Sequence, residues 1–498
     1  MANSGKGIHV MVFPYPAQGH MLPILDFTHQ LALHGLTITV IITPKNLPIL
    51  NPLLFAHPSS IQVQIFPFPD HPTLPHGVEN VKDIGNQGNG PIISALSKLQ
   101  DPIIKWFTSQ SNNNPPVALI SDFFLGWTQN LAHQIGIPRI GFYSSGSFLT
   151  AVLHKLWPNL ESFRSISEVN FQDLPRSPCF PWEHLPSVVR NYRESNPDSQ
   201  VVRNAMIANV SSWASVFNTF DDLEGEFSDY LKKFMGHNRV FSIGPLNLIG
   251  VPSEMGRGGA LSPRSEGVLK WLNECEDESV LYVCFGSQKF LKKAQMEALA
   301  NGLEQSGVRF IWVCKPVTAQ QIEQGYGSVP DGFEERVSGR GLVMKDWAPQ
   351  LAILNHRAVG GFLSHCGWNS VMEAVVAGVM IMCWPMEADQ FINARLMSEY
   401  LGAAVQVCQG NDSVPDSAEL GRVISESMKK ERIERVKAKE LKNKAFEAVD
   451  RNGSSTRDLN GLVNELAQLA QVSNEENRLR PNTEMVPTAQ YSVGVYAK

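Results

Sequence analysis

The sequence lacks the features on which several common classes of protein depend. Its seven cysteines are widely spaced and form no C-x-x-C pair, which argues against a zinc knuckle or a disulfide framework. No window approaches ~20 uninterrupted apolar residues, so we expect no membrane span. Residues 1–8 lead directly into a strand-like run without the apolar core of a secretory signal, so we expect a cytoplasmic protein.

Positive charge is scarce as well, and it is not gathered into a basic block. The chain has 42 Lys and Arg against 48 Asp and Glu, for a net charge of −6. This balance argues against nucleic acid or a polyanionic surface as a partner. The composition is otherwise that of a globular protein, and 498 residues are too many for a single core. We therefore expect at least two domains.

Glycine-rich cofactor fingerprints are also missing. The loop after the first predicted strand reads PYPAQGH, which lacks the G-x-G-x-x-G spacing of nicotinamide and flavin sites, and no P-loop pattern occurs. These absences disfavour an oxidoreductase or an NTPase. No Asp-x-Asp triple is present either. We expect neither a bound metal ion nor a cofactor.

Two α/β halves are visible in the periodicity of the sequence. Apolar runs at 8–13 and 36–43 flank an amphipathic stretch at 22–35, which predicts a βαβ unit with a right-handed crossover. Strand–helix alternation continues at 117–142 and restarts near 280. The predicted segments are an N-terminal domain at 1–248, a linker rich in Gly, Pro and Ser at 249–266, a C-terminal domain with closing helices at 267–470, and a loose tail at 471–498.

The stretch HCGWNS at 365–370 concentrates polar side chains between an apolar run and a helix-like pattern. Ligands of open α/β sheets bind at the carboxyl ends of the strands, so this loop is a candidate site. Gly360, Gly361 and Gly367 allow backbone N–H groups to approach an anion at the start of a helix. Ser370 and Glu373 also fit a capping box, and the local pattern alone favours neither interpretation.

Two other uses of this stretch are disfavoured by its spacing. A metal site is disfavoured because His365 and Cys366 are adjacent and have no second ligand pair in register. A thiol nucleophile is disfavoured because no orienting carboxylate lies near Cys366 in sequence.

The wider context of HCGWNS resembles a known family. Residues 347–390, which read WAPQLAILNHRAVGGFLSHCGWNSVMEAVVAGVMIMCWPMEADQ, resemble the signature box of plant secondary-product glycosyltransferases, the UDP-sugar-dependent family 1 enzymes. The resemblance extends through VFPYPAQGH, ISDFFLGW and CFGSQ to nearly the whole chain. The branch that it resembles most acts on flavonols and hydroxybenzoates. Met380 departs from the proline usual at that position, and we expect a change in packing without loss of activity.

This resemblance implies an α/β fold of the GT-B type, in which two Rossmann-like domains face each other across a cleft and the C-terminal one holds the donor. Carried over position by position, Trp347 stacks on uracil and the backbone of Ala348 meets the edge of the base. The other implied donor contacts are Gln350 and Glu373 to the ribose; Ser287, His365, Asn369 and Ser370 to the diphosphate; and Trp368, Asp389 and Gln390 to the sugar. Ser144 is a further candidate for contact with the sugar or a phosphate.

His20 and Asp122 are the candidate catalytic residues. A phenol or carboxyl acceptor loses a proton as it attacks the anomeric carbon, and histidine is suited to accept that proton near neutral pH. Asp122 ends a neighbouring predicted strand, where its carboxylate can hold one tautomer of the imidazole and stabilise its cation. A hydrolase triad is the rival use of this pair, but the sequence has no G-x-S-x-G elbow.

The sequence therefore predicts an inverting, metal-independent UDP-glucose-dependent O-glucosyltransferase that converts small phenolic acceptors, such as flavonoids or hydroxybenzoates, into β-glucosides. Glucose is expected because Gln at position 390 usually accompanies glucose in the family, whereas His often accompanies galactose. We expect a monomer. Two alternatives stay open: UDP-xylose or another UDP-sugar as the donor, and a non-catalytic sugar-nucleotide-binding protein.

Overall fold

The computed structural model describes residues 5, 7–110, 114–250, 263–286, 289–345 and 348–479 of the chain. Ser287 and Trp347, two of the predicted donor-binding residues, lie outside the described residues. Residues 251–262, the greater part of the predicted linker, lie outside them too.

A seven-stranded parallel sheet is the centre of the first half of the chain. The strands of this half are β1 (His9–Phe13), β2 (Thr37–Ile42), β3 (Ile61–Ile65), β4 (Ala118–Asp122), β5 (Arg139–Tyr143), β6 (Glu168–Asn170), β7 (Cys179–Pro181), β8 (Ala214–Phe217) and β9 (Val240–Ser242). The sheet has the order β3-β2-β1-β4-β5-β8-β9, while β6 and β7 form a separate antiparallel hairpin. The predicted βαβ unit is confirmed, since β1 pairs in parallel with β2.

Helices cover both faces of this sheet, so its central strands are buried throughout and consist largely of apolar residues. The helices are α1 (Gln18–Leu33), α2 (Asn51–Ala56), α3 (Asn89–Ser97), α4 (Gln100–Ser109), α5 (Thr128–Gln134), α6 (Ser147–Leu156), α7 (Leu160–Arg164), α8 (Ser187–Arg190), α9 (Pro197–Ala208), α10 (Asp221–Met235) and α11 (Leu246–Ile249).

The second half contains a six-stranded parallel sheet. Its strands are β10 (Val280–Cys284), β11 (Arg309–Val313), β12 (Gly341–Met344), β13 (Val359–Ser364), β14 (Met380–Cys383) and β15 (Ala404–Gln406), in the order β12-β11-β10-β13-β14-β15. Met380, the departure from the family pattern, begins β14 with only 1% of its surface exposed. The side chain at this position therefore packs into the core.

Ten helices among the described residues follow the first half. They are α12 (Pro263–Asn273), α13 (Lys293–Ser306), α14 (Ala319–Glu323), α15 (Phe333–Arg336), α16 (Gln350–Leu354), α17 (Trp368–Ala377), α18 (Gln390–Arg395), α19 (Ser417–Ser427), α20 (Ile433–Val449) and α21 (Ser454–Leu479). A π-helical turn at Leu396–Tyr400 continues α18. None of the helices in the described ranges combines the length and the apolar composition needed to cross a membrane.

Helix α21 packs against the first half of the chain, although the sequence placed it with the second. Its apolar side chains share a buried cluster with residues of β1 and β2. Asp458 accepts a hydrogen bond from the backbone N–H of Ser242 at 2.6 Å, and the Ser455 hydroxyl donates to the carbonyl of Gly244. Residues 471–479, which the sequence assigned to a loose tail, continue this helix.

Candidate active site

The two halves meet where α17 begins, at the carboxyl end of β13. Asn369 donates a hydrogen bond from Nδ2 to the carbonyl oxygen of Gly19 at 2.9 Å. The indole N–H of Trp368 donates to the carbonyl oxygen of Asn218, also at 2.9 Å. The start of α17 therefore lies against the first turn of α1, which carries His20, and the carboxyl ends of both sheets face one cleft.

His20 and Asp122 form a hydrogen-bonded pair on the N-terminal side of this cleft. Nδ1 of His20 lies 2.9 Å from Oδ2 and 3.1 Å from Oδ1 of Asp122. The Asp122 side chain is fully buried and also accepts from the backbone N–H of Phe124, whereas 19% of the His20 side chain is exposed. Because Nδ1 faces the carboxylate, Nε2 is the ring nitrogen left to take a proton from a substrate.

Aromatic rings surround the His20 imidazole. The ring of Phe123 stacks on it at 5.4 Å between centroids, and Phe124 lies tilted at 4.5 Å. Tyr15 presents its ring edge-on at 5.2 Å. Two of these residues directly follow Asp122, so the turn after β4 supplies both the carboxylate and much of the apolar wall.

The predicted ribose-binding residues lie together on the C-terminal side. Nε2 of Gln350 donates to Oε2 of Glu373 at 2.6 Å, and Ser370 Oγ lies 3.4 Å from the same nitrogen. The hydroxyl of Tyr282, inside β10, donates to Oε1 of Gln350 at 3.2 Å. Sequence analysis missed Tyr282, because a buried strand residue gives no local signal that its hydroxyl reaches a site.

The capping-box interpretation of Ser370 and Glu373 is wrong. Helix α17 begins at Trp368, its N-cap is Gly367, and no side chain caps it. Ser370 therefore lies inside the first turn. The first N–H groups of the helix are left without a side-chain acceptor, which is the arrangement that an anion can satisfy.

His365 lies between two glycines at the start of this loop. A Cβ atom on Gly286, whose φ is +80°, or on Gly367 would lie 2.8 Å from the imidazole, so both positions must lack a side chain. Burial, and secondarily the charge of Lys289, lower the pKa of His365 to about 4, so the ring is neutral near pH 7. Its Nδ1 is buried and has no hydrogen-bond partner among the described residues.

Neither a thiol nucleophile nor a metal centre gains support from the geometry. Burial raises the pKa of the Cys366 thiol well above its usual range, which opposes formation of a thiolate. Within the part of the chain that the structure describes, no three His, Cys, Asp or Glu side chains are grouped to hold a metal ion.

The residues expected to face the sugar already form hydrogen bonds within the protein. Asp389 accepts from Asn393 at 2.8 Å, and burial raises the pKa of its carboxyl while Asn393 opposes the change. Oε1 of Gln390 accepts from the backbone N–H groups of Met386 and Glu387, so only its amide hydrogens remain for a ligand. Trp368 joins the two halves through its N–H, so its role in contacting the sugar stays a prediction.

The remaining candidates are placed as follows. Ala348 is buried, and its carbonyl accepts from the N–H of Gln350 at 2.8 Å. The residue predicted to meet the edge of the base is therefore hydrogen-bonded to one predicted to bind the ribose. Ser144 is buried at the carboxyl end of β5, the strand next to the one that ends in Asp122. No described hydrogen bond tests its predicted contact with the sugar or a phosphate.

Two Rossmann-like halves, with a His–Asp pair on one side of the cleft and an uncapped helix start on the other, define a glycosyltransferase of the GT-B class. Residues 259–452 match the family model described as UDP-glucoronosyl and UDP-glucosyl transferase. UDP-glycosyltransferase 89A2 of Arabidopsis thaliana is 51% identical over 471 residues, which cover 94% of this chain and 98% of the relative. The chain belongs to the plant family 1 UDP-glycosyltransferases, and it is an enzyme of that family.

Three further comparisons concern relatives whose names or bound ligands indicate substrates. Flavonol 3-O-glucosyltransferase UGT89B1 of Arabidopsis thaliana is 47% identical over 477 residues, covering 94% of this chain and 98% of the relative. The crystal structure of Arabidopsis thaliana UGT89C1 complexed with UDP-L-rhamnose matches with a TM-score of 0.76 and 37% identity, covering 92% of this chain and 99% of that one. The same protein has been solved with quercetin, and that structure matches with a TM-score of 0.74.

Proposed function

We propose that this enzyme transfers glucose from UDP-glucose to a phenolic hydroxyl of a flavonoid-type acceptor, with inversion at the anomeric carbon. The observation that carries the proposal is the His20–Asp122 pair, which faces the start of α17 across the cleft. A protein that only bound sugar nucleotides would have no use for a partly exposed histidine held by a buried carboxylate.

The proposed chemistry is a single in-line displacement. Nε2 of His20 takes the proton of the acceptor hydroxyl while the oxygen forms a bond to the anomeric carbon. The bond from that carbon to the diphosphate oxygen breaks, and UDP leaves with the electron pair. Asp122 fixes the tautomer of His20 and stabilises the imidazolium. An α-linked donor then gives a β-glycoside.

The diphosphate charge would be met without a metal ion. The free N–H groups at the start of α17 carry the positive end of the helix dipole, and His365 can donate from a neutral ring. Gln350, which is held by Tyr282, and Glu373 beside it would bind two neighbouring ribose hydroxyls. These groups stabilise the charge that develops on UDP as it leaves.

Glucose and L-rhamnose are the two donors that the relatives suggest. We propose glucose, because the glucosyltransferase UGT89B1 is 47% identical to the chain and the protein solved with UDP-L-rhamnose is 37% identical. Asp389, with an oxygen beyond the one that Asn393 engages, and the Gln390 amide hydrogens can bind adjacent sugar hydroxyls. UDP-xylose is a third candidate donor, because xylose differs from glucose only in lacking the 6-carbon arm.

A flat phenolic acceptor fits the surroundings of His20. Tyr15, Phe123 and Phe124 form aromatic walls against which a planar ring can pack. A panel of flavonols, hydroxybenzoates and hydroxycoumarins, supplied with UDP-glucose or UDP-L-rhamnose, tests both substrates at once. NMR of the products identifies the hydroxyl and the anomeric configuration. The proposal would be refuted if none of the phenols were glucosylated, or if the glucoside formed were α-linked.

A further inference from the structure

Arg139, the first residue of β5, is fully buried behind Asp122. All three nitrogens of its guanidinium are engaged. Nε donates to Ser121 Oγ at 2.8 Å and Thr128 Oγ1 at 2.9 Å, Nη1 to Asn209 Oδ1 at 2.8 Å and Ser212 Oγ at 2.7 Å, and Nη2 to the Asp122 carbonyl at 3.2 Å.

The side chain of Arg139 lies on a closely packed face of the sheet. Gly141 lies two residues further along β5 and therefore on the same face as Arg139. A Cβ atom at Gly141 would lie 3.3 Å from Tyr143 Cε2, 3.4 Å from Ser212 Oγ and 3.6 Å from Nη1 of Arg139. The guanidinium is therefore enclosed beside the strand that ends in Asp122.

The network of Arg139 holds the whole turn that contacts His20. The guanidinium binds the carbonyl of Asp122, and Asn209, itself bound by Arg139, donates to the carbonyl of Phe123 at 2.8 Å. The N–H of Phe124 in turn donates to the Asp122 carboxylate. One arginine thereby anchors the three residues that bind and enclose the imidazole.

The charge of Arg139 is unusual for a structural residue. All its hydrogen-bond acceptors are hydroxyls, an amide or a carbonyl, and in the described part of the chain it forms no ion pair. Burial lowers the pKa of Arg139 to about 10, while Tyr143 and Asp122 oppose the change, so it stays protonated near pH 7. A buried cation without a directly bonded carboxylate is costly, which favours a role beyond packing.

We propose that Arg139 is a positioning residue of the transfer reaction. Its hydrogen bonds fix the turn that carries Asp122, and through that turn they fix the orientation of the His20 imidazole. This inference rests on the proposed function for its effect on rate, whereas its effect on His20 can be measured without any substrate.

Two variants disrupt the network to different extents. Arg139→Gln removes the charge, while Arg139→Lys keeps it but loses the fork of donors. Arg239→Gln is the matched control, because Arg239 lies in the same half, on Trp213, and its side chain bonds only that residue's carbonyl among its described contacts. Each full-length variant is assayed for kcat and KM, and its His20 ring signals are recorded by NMR at one fixed pH after assignment with His20→Ala.

In both variants we expect kcat to fall at least about 10-fold, because the turn that carries Asp122 is no longer held by the full set of donors. The KM for UDP-sugar should be unchanged, and the His20 ring signals should move from their wild-type positions. A folded variant with wild-type kcat, or with unchanged His20 ring signals, would overturn the proposal.

A failure of Arg139→Gln to fold leaves Arg139→Lys to decide the positioning role through kcat and the His20 ring signals. If the wild-type enzyme transferred no sugar to any phenol, the proposed function would fail by itself. The His20 ring signals would then still test whether Arg139 holds the turn against His20.

Discussion

Nδ1 of His20 lies 2.9 Å from Oδ2 of Asp122, although 102 positions separate the two residues in the chain. His20 belongs to the first turn of α1 and Asp122 ends β4, and the parallel pairing of β1 with β4 brings the two loops to the same edge of the sheet. The pair is the basis of the first prediction.

His20→Ala should lower kcat by at least about 100-fold, the low end for loss of a general base, and leave UDP affinity nearly unchanged. Asp122→Asn should have a similar effect through the tautomer and the lost charge. Steady-state kinetics with a phenolic acceptor and calorimetry with UDP measure the two quantities. His71→Ala is the control, because His71 forms a second His–Asp pair in the same half, with Asp198 at 3.0 Å. A His20→Ala rate above half of wild type would remove His20 from the mechanism.

Activity should not depend on a divalent metal. The start of α17 and His365 offer donors to the diphosphate without a metal ion. Initial rates are measured after treatment with EDTA and after adding back Mg²⁺ or Mn²⁺. Rates within a factor of about two across these conditions are expected, since any metal would then act only on free UDP. Strict dependence on either ion would mean that the diphosphate site is misassigned.

UDP-glucose should exceed UDP-galactose by about 10- to 100-fold in kcat/KM, because inverting one hydroxyl leaves a buried polar group unpaired. Gln390→Glu keeps the oxygen that accepts from Met386 and Glu387 but removes the amide hydrogens. We expect this variant to lose about 10-fold or more on UDP-glucose with little change in melting temperature. Gln320→Glu adds the same charge at an exposed site of α14 and serves as control. Equal use of glucose and galactose by wild type would contradict the argument from Gln390.

Tyr282→Phe should raise the KM for UDP-sugar by about 2- to 10-fold, the value of one hydrogen bond, with kcat near wild type. The Tyr282 hydroxyl donates to Gln350 and so fixes the orientation of its amide toward Glu373. Tyr326→Phe, in the same half of the chain, is the matched control. A kcat effect without a KM effect would show that Tyr282 acts on the chemical step instead.

The free energy of unfolding should fall as pH rises toward 7, because the buried carboxyl of Glu224 loses its proton. Its carboxylate accepts from the N–H groups of Ser147 and Phe148 at the start of α6, yet burial outweighs these bonds and raises its pKa to about 7. The folded state therefore binds a proton more tightly than the unfolded state does. The stabilisation of the folded state that comes from this bound proton is fully present below the ordinary pKa of glutamate and is lost as pH rises through about 7.

Urea unfolding of wild type and Glu224→Gln at pH 5 and pH 8 measures this effect. Wild type should lose more stability between the two pH values than the variant, since an amide does not titrate. Asp229→Asn, which changes an exposed carboxylate of the same helix, should leave the pH difference as in wild type. An equal pH difference in wild type and Glu224→Gln would refute the assignment.

The sequence by itself determined the two α/β halves, the family and the positions of the donor box. Apolar periodicity is local, so β1, α1 and β2 could be predicted from adjacent residues. His20 and Asp122 were also accessible, because each follows or ends a predicted strand and such ends share one edge of a parallel sheet. Short or edge strands such as β3, β8 and β9 were missed, since their patterns are weak.

Only the tertiary structure decided which polar atoms already have hydrogen-bond partners and which residues pack behind them. The Gln390 oxygen is taken by its own loop, Ser370 does not cap α17, and α21 closes on the first half of the chain. In the sequence Arg139 has the pattern of an ordinary strand residue. Only the folded structure brings the hydroxyls of Ser121, Thr128 and Ser212 to its guanidinium. Hydrogen-bond partners far apart in sequence are chosen by packing, and a periodicity of a few residues carries no information about them.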